Sequence, residues 1–267
     1  MTAIATAVRI AAVGDLHCSK TMHGALAPLF ASVHEHADVL CLCGDLTDYG
    51  TAEEAQVLVE ELKSVHIPIV AVLGNHDFQS GTPQAVIDVL GRAGVHLLDG
   101  ESIEVNGVGF AGVKGYIGGF GRGTLGAWGE PSVKAIVQEA IDEAMKLESA
   151  LARLRTEHRI ALMHYAPIRA TVVGEPIEIF PFLGCSRLEE PVGRYPVAAV
   201  FHGHAHRGSL QGATADGTPV YNVAMPLLRR ELRDAPPYRV IEVGGERVGA
   251  PDGRDTLIAA PREFTAH

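Results

Sequence analysis

Three times in the first third of the chain, a run of apolar residues stops at a glycine that is followed at once by a side chain able to bind a metal ion. Residues 8–13 end at Gly14-Asp15-Leu16-His17, residues 38–43 at Gly44-Asp45, and residues 68–73 at Gly74-Asn75-His76-Asp77. Short, nearly unbroken apolar runs bounded by turn residues read as strands buried on both faces. Glycine lets the chain turn sharply as it leaves each strand. Between the runs, residues 21–36 and 53–64 carry helical spacing, the second preceded by Thr51 as N-cap with Glu54 three positions on. The pattern predicts successive strand–helix units, whose ligands sit at strand C-terminal ends. Any one of these loops would pass for a polar turn or a helix cap. Their repetition at the same place in three units points to a site.

The rest of the chain adds to that site. A helix is predicted at 83–92. Short strands follow at 95–98, 102–105 and 108–113, with turn signals at Asp99-Gly100 and Asn106-Gly107, a hairpin passing into a second sheet. Residues 114–130 are glycine-rich, contain Trp128 and have no period, which predicts a long loop bordering the site. Residues 132–157 place Val133, Ile136, Val137, Ala140, Ile141, Ala144, Leu147, Leu151 and Leu154 along one side of a long helix. A strand at 159–163 ends at His164-Tyr165, and one at 196–201 ends at His202-Gly203-His204-Ala205-His206. Residues 171–190 read as a second irregular stretch beside the pocket. Late strands are expected at 220–223 and 238–243, before a tail rich in Gly, Asp, Arg and Pro to which no function is assigned. With no internal repeat and no linker, a single domain over residues 1–267 is expected.

Composition narrows the function class. The formal net charge is −10. That argues against a general binder of long nucleic acid or anionic membrane, which would carry a basic face. A small phosphorylated substrate stays open, because bound cations would add charge that this balance omits. The first residues lack the basic start and long apolar stretch of a signal peptide, and no run has the length of a membrane span. Cys18, Cys41, Cys43 and Cys185 show no disulfide spacing, and the Cys41-Leu-Cys43 pair falls in a strand pattern as small buried hydrophobes. A reduced, cytoplasmic protein is expected.

Asp15, His17, Asp45, Asn75, His164, His204 and His206 offer the mixed nitrogen and oxygen donors that suit first-row ions. The set contains no structural cysteine zinc site and is too rich in imidazole for calcium. Seven donors exceed what one ion with an open position takes; they suit two ions sharing one carboxylate. His76 can carry a proton, and Asp77 beside it is expected to orient it. His23, Asp48 and Tyr165 lie near the motifs, as do Arg122, Arg169, Arg187 and Arg207, the candidate phosphate contacts. His202 has no evident role.

Asp15-x-His17, Gly44-Asp45, Gly74-Asn75-His76-Asp77, His164 and Gly203-His204-x-His206 resemble, in order, strand-end placement and residue type, the five motifs of calcineurin-like metallophosphoesterases. The resemblance runs over residues 15–206. It implies an α/β fold in four layers, αββα, two mixed β-sheets face to face with helices outside. It implies that Asp15, His17, Asp45 and His206 hold one ion and Asp45, Asn75, His164 and His204 a second, with Asp45 bridging. The ions would be drawn from iron, manganese and zinc. His76 matches the histidine that contacts phosphate and protonates the leaving group, while a hydroxide between the ions attacks.

Two positions depart from the phosphoprotein phosphatase branch, Tyr49 where that branch carries arginine and Asp77 where it carries glutamate. The Asn-His-Asp form resembles the phosphodiesterase side, including the bacterial class III cyclic nucleotide phosphodiesterases. A hydrolase of small phosphodiesters, cyclic nucleotides among them, is therefore expected. A phosphomonoesterase or nuclease of the same fold is the alternative, and a non-catalytic metal-binding scaffold a third reading that the complete ligand set disfavours.

Overall fold

The computed structural model describes residues 7–233 and 235–244. The first six residues, read above for a leader, and the tail from 245 onward lie outside the described residues. In chain order the elements are β1 (Val8–Val13), α1 (Ala27–Phe30), α2 (Val33–His36), β2 (Val39–Cys43), α3 (Ala52–Glu61), β3 (Ile69–Val72), α4 (Pro83–Arg92), β4 (Val95–Leu97), β5 (Ser102–Val105), β6 (Val108–Gly112) and α5 (Pro131–Arg153). There follow β7 (His158–Leu162), α6 (Phe180–Leu183), α7 (Glu189–Arg194), β8 (Val197–His202), β9 (Gln211–Ala213), β10 (Pro219–Asn222), α8 (Met225–Glu231) and β11 (Arg239–Val243).

One sheet has the order β11-β1-β2-β3-β4, the other β5-β6-β7-β8-β10-β9. Strands β1 to β4 run parallel, with β11 antiparallel against β1. In the second sheet β6, β7, β8 and β10 are parallel, edged by antiparallel β5 and β9. This is the four-layer αββα arrangement that the motifs imply. Strand periodicity explains the layering. In the second sheet Phe110, Ile160, Leu162 and Phe201 join the core shared with Val39, Leu40, Val70 and Val72 of the first. Their neighbours Ala111, Ala161 and Val200 turn the other way and pack with Leu147, Ala150 and Leu151 of α5 and Val192 of α7. The two sheets are also stitched at one end, where Gly14 N donates to Val223 O (2.8 Å) and Met225 N to Gly14 O (2.9 Å).

Several boundaries differ from the sequence expectation, each for a tertiary reason. The helix predicted at 21–36 begins only at Ala27, because the buried Glu61 carboxylate captures the N–H groups of Gly24, Leu26 (2.6 Å) and Ala27 (2.7 Å), and it forms as two short helices, Ala27–Phe30 and Val33–His36. The long helix stops at Arg153; Leu154 still packs in the core but is already extended, heading into β7. Residues 171–190 are not irregular, since they carry α6, the start of α7 and 3-10 turns. At α3 the capping box forms as predicted, Thr51 and Glu54 satisfying each other's backbone N–H groups.

Candidate metal centre

All seven donor residues follow strand C-terminal ends, and the two sheets bring those ends together. Asp15 and His17 follow β1, Asp45 follows β2, Asn75 follows β3, His164 follows β7, and His204 and His206 follow β8. Four of them, Asp15 (φ 56°), His17 (φ 44°), Asp45 (φ 48°) and His204 (φ 68°), hold a left-handed backbone. That conformation costs a non-glycine residue roughly 1–2 kcal/mol. Such strain persists only where surrounding structure enforces it, and here it marks the site. The glycines before these residues serve close approach. A Cβ on Gly203 would run into the Asp15 carboxylate, and one on Gly74 into Asp45.

Six of the donors, with His76, form three overlapping groups, Asp15 with His17 and His206, His17 with Asp45 and His76, and Asp45 with His164 and His204, each with one donor atom per residue within 4.8 Å. His206 Nε2 lies 2.9 Å from Asp15 Oδ1, and the Asp15 carboxylate also accepts the His204 N–H (3.0 Å). His164 Nε2 stands 3.4 Å from Asp45 Oδ1 and 3.0 Å from Asn75 Oδ1. Asp45 thus faces His17 on one side (3.8 Å) and His164 on the other. Carbonyl oxygens fix two tautomers. His164 Nδ1 donates to Cys43 O (3.0 Å) and His204 Nε2 to Phe182 O (3.1 Å), so in the neutral rings the lone pairs fall on His164 Nε2 and His204 Nδ1.

Charge in this cluster is tightly matched. Burial would raise the Asp45 pKa, but the His164 charge and hydrogen bond outweigh it and hold the carboxylate well below its ordinary range. Burial works against a charged His164 too, yet Asp45 and then Asp15 lift it to about 9. His206 is raised by its bond to Asp15, whereas burial drives His204 down to about 4. Without cations, protons on imidazole balance two buried carboxylates. One atom stays unbalanced. His17 Nε2 is buried and has no hydrogen-bond partner. A buried imidazole nitrogen without a hydrogen bond, facing a carboxylate, fits the role of a cation ligand. The donor set fits two such ions.

His76 sits at the rim, its side chain 40% exposed, with its ring edge-on to His17 (centroids 4.5 Å). Its Nδ1 donates to Asp48 O (2.8 Å), which leaves Nε2 for a ligand. The sequence expectation for Asp77 needs correction. Its carboxylate is fully buried and accepts from Thr47 N (2.8 Å), Thr47 Oγ1 (2.6 Å), Gly74 N (2.8 Å) and Leu46 N (3.2 Å). Asp77 therefore clamps the β2 and β3 loops together, and the backbone of Asp48 orients His76. Burial pushes Asp77 up to about 6 against those four donors.

Of the neighbouring candidates, Tyr165 stacks near His204 (4.6 Å) and Asp48 Oδ1 lies 3.5 Å from His17 Nδ1. His23 is exposed. Arg187 gives its guanidinium to Leu125 O (2.9 Å) and Arg169 stacks over Phe180 (5.7 Å); Arg122 and Arg207 are exposed. His202 is buried, bonded to Gly203 O and Thr171 Oγ1 at 2.8 Å each. Of the two long stretches, 171–190 reaches the site and 114–130 packs against it. Gly118 N and Gly119 N donate to Pro181 O and Gly184 O, and Phe182 O holds His204. Sequence reading missed Asn222, whose Nδ2 donates to Ala205 O (2.7 Å) and steadies the His204–His206 turn, and Arg230, which donates to His206 O (3.2 Å). Neither carries a local signal, because both reach the site from separate elements. It also missed Lys114, which does carry the strand-end signal, just after β6.

Comparison with known proteins agrees with this geometry. The model of the calcineurin-like phosphoesterase family matches residues 8–208. An uncharacterized metallophosphoesterase of Aquifex aeolicus (strain VF5) is 31% identical over 105 residues, 38% of this chain and 40% of that protein, so the match spans about two fifths of the relative's length. Among solved structures, phosphopantetheinyl hydrolase from Mycobacterium tuberculosis superposes with a TM-score of 0.65 at 16% identity, over 93% of this chain and all of that one. A putative 5′-nucleotidase from Staphylococcus aureus superposes with a TM-score of 0.52 at 17% identity, over 81% of this chain and 48% of that one. At such identities these likenesses concern the fold.

Proposed function

We propose that this chain, which belongs to the calcineurin-like phosphoesterase family, hydrolyses small phosphodiesters with two metal ions, cyclic nucleotides being candidate substrates. Membership of that family and the clustered metal donors support a metal-dependent phosphoesterase; the diester preference is our reading. The observation that carries it is the unpartnered His17 Nε2 beside Asp45, next to a His76 whose Nε2 is free.

Asp15, His17, Asp45 and His206 would hold one ion, and Asp45, Asn75, His164 and His204 the other, with iron, manganese and zinc all compatible with these donors. When bound, such ions supply positive charge for phosphoryl oxygens and bring the pKa of water toward neutrality. The remaining work falls to the chain. Asp48 O holds the His76 ring by Nδ1–H, so a second proton on Nε2 can pass to the departing oxygen. Asp77 fixes the two loops that carry Asp45 and Asn75. An alkyl ester demands this donor more than an aryl ester does, because an alkoxide is a poor leaving group.

Burial of all four cysteines as free thiols supports a reducing, cytoplasmic setting. No described helix is long and apolar enough to cross a membrane. The test is turnover of bis-p-nitrophenyl phosphate, p-nitrophenyl phosphate and cyclic nucleotides under matched manganese loading. Diester turnover above monoester turnover is expected. Monoester preference would move the reading to a phosphatase, and no turnover with any first-row ion would favour a scaffold.

A further inference from the structure

A largely apolar pocket of about 310 Å³ is walled by Leu73, Phe78, Ile87, Leu97 and Leu98, with Gln84, Asp99, Glu101 and Lys114 as its polar lining. Lys114 is a partly buried cation among rings. Its Nζ is 4.7 Å from the Tyr116 centroid, 5.5 Å from that of Tyr165 and 5.6 Å from that of Phe78. Of its three N–H donors, one goes to Gly115 O (2.8 Å). The nearby carboxylates are engaged elsewhere, Glu143 with Lys146 and Gly115 N, and Asp99 with Lys146. Glu101 accepts from Asp99 N (2.6 Å). An ammonium with donors to spare, on the wall of an apolar pocket, is a ligand-orienting group.

Position relates this pocket to the reaction. One face of the problem is the Tyr165 ring, which has Lys114 Nζ at 5.5 Å and the His204 ring at 4.6 Å. The other is the turn His76–Phe78, which carries the proton donor and, two residues on, the pocket wall. Leu73 precedes the Gly74-Asn75 pair directly. The proton donor and the pocket wall therefore share one short turn.

Resting on the phosphodiesterase reading, we propose that this pocket receives the substrate's leaving group, and that Lys114 selects leaving groups with an apolar body and an anion of their own, a carboxylate or a second phosphate. Lys114 is then a specificity residue and takes no part in bond cleavage.

The test uses the full, metal-loaded chain saturated with inorganic phosphate, so that the metal site is filled and the leaving-group side is read alone. Calorimetry compares 3-phenylpropionate with 3-phenylpropan-1-ol, which share the apolar body and differ in the anion. Wild type should bind the propionate at least tenfold more tightly. Lys114→Met should abolish that preference, Lys114→Arg should keep it, and Phe78→Ala should weaken both probes. Equal binding of the two probes by wild type overturns the proposal, as does a preference that survives in folded Lys114→Met. If Lys114→Met does not fold, the wild-type preference with the Lys114→Arg and Phe78→Ala results decides. Metal content and bis-p-nitrophenyl phosphate turnover, measured on the same samples, report the underlying reading. Their absence with the probe preference intact would sink the hydrolase reading and leave the anion pocket standing.

Discussion

His76 Nδ1 lies 2.8 Å from the backbone oxygen of Asp48, on the loop after β2. The bond sets the tautomer and leaves Nε2 for a ligand, so what His76 does depends on a main-chain atom and not on the carboxylate next to it in sequence. If Nε2 carries the proton to the leaving oxygen, its loss should depend on leaving-group basicity. His76→Ala should lower kcat/KM for an alkyl diester by about 10²–10⁴-fold and much less for a nitrophenyl diester at equal metal occupancy. Equal losses on both esters would reject the proton-donor role and leave an electrostatic one.

Asp45 faces both candidate ion sites, whereas His17 and His206 pair with Asp15 on one side. Asp45→Asn should therefore lower the content of both ions, and His17→Ala mainly one. Elemental analysis of the purified variants reads this directly. A fully active wild-type preparation holding one ion per chain would defeat the two-ion arrangement.

Asp77 presents four acceptor positions to four donors. In Asp77→Asn an amide NH₂ must face at least one N–H, and a buried donor goes unmet at a cost of about 1–3 kcal/mol. That predicts a fall in Tm of roughly 2–12 °C for a chain of this size, with weaker metal retention. If Asp77 instead acted only by orienting His76, the variant would keep its Tm and metal while losing activity on alkyl esters.

Stability of the metal-free protein should peak near pH 6.5 and fall on both sides. His164 is raised to about 9, so its contribution is complete below pH 6.5 and is lost as pH rises through 9. His202 and His204 are lowered by burial to about 4, so theirs is complete above pH 6.5 and is lost as pH falls toward 4. Loading with manganese should flatten the alkaline limb, since ions replace the His164 proton. Melting curves from pH 4 to 9.5, with and without metal, check this; a metal-free Tm that holds constant from pH 6.5 to 9 would contradict it.

What the sequence alone determined was periodic or local. Apolar runs of period two or unbroken burial placed β1, β2, β3, β7 and β8, because a strand's fate depends on its own side chains. The Thr51–Glu54 cap was legible because both partners lie within one turn. The donor residues stood out because glycine and a ligand recur at strand ends, so Asp15, His17, Asp45, Asn75, His164, His204 and His206 could all be singled out before any coordinates.

Tertiary structure decided what depends on atoms distant in the chain. Glu61, 35 residues beyond Leu26, sets where the helix that spacing predicts at 21–36 begins. Phe182 O, 22 residues before His204, chooses its tautomer. Asp77 and His76 are adjacent in sequence, yet one turns into the core against Thr47 and the other outward against Asp48 O, because successive side chains in that turn point in different directions. The unpartnered His17 Nε2 and the Lys114 pocket likewise exist only once both sheets converge. Sequence names the groups that can do chemistry; packing assigns each its partner, and the partner sets the proton.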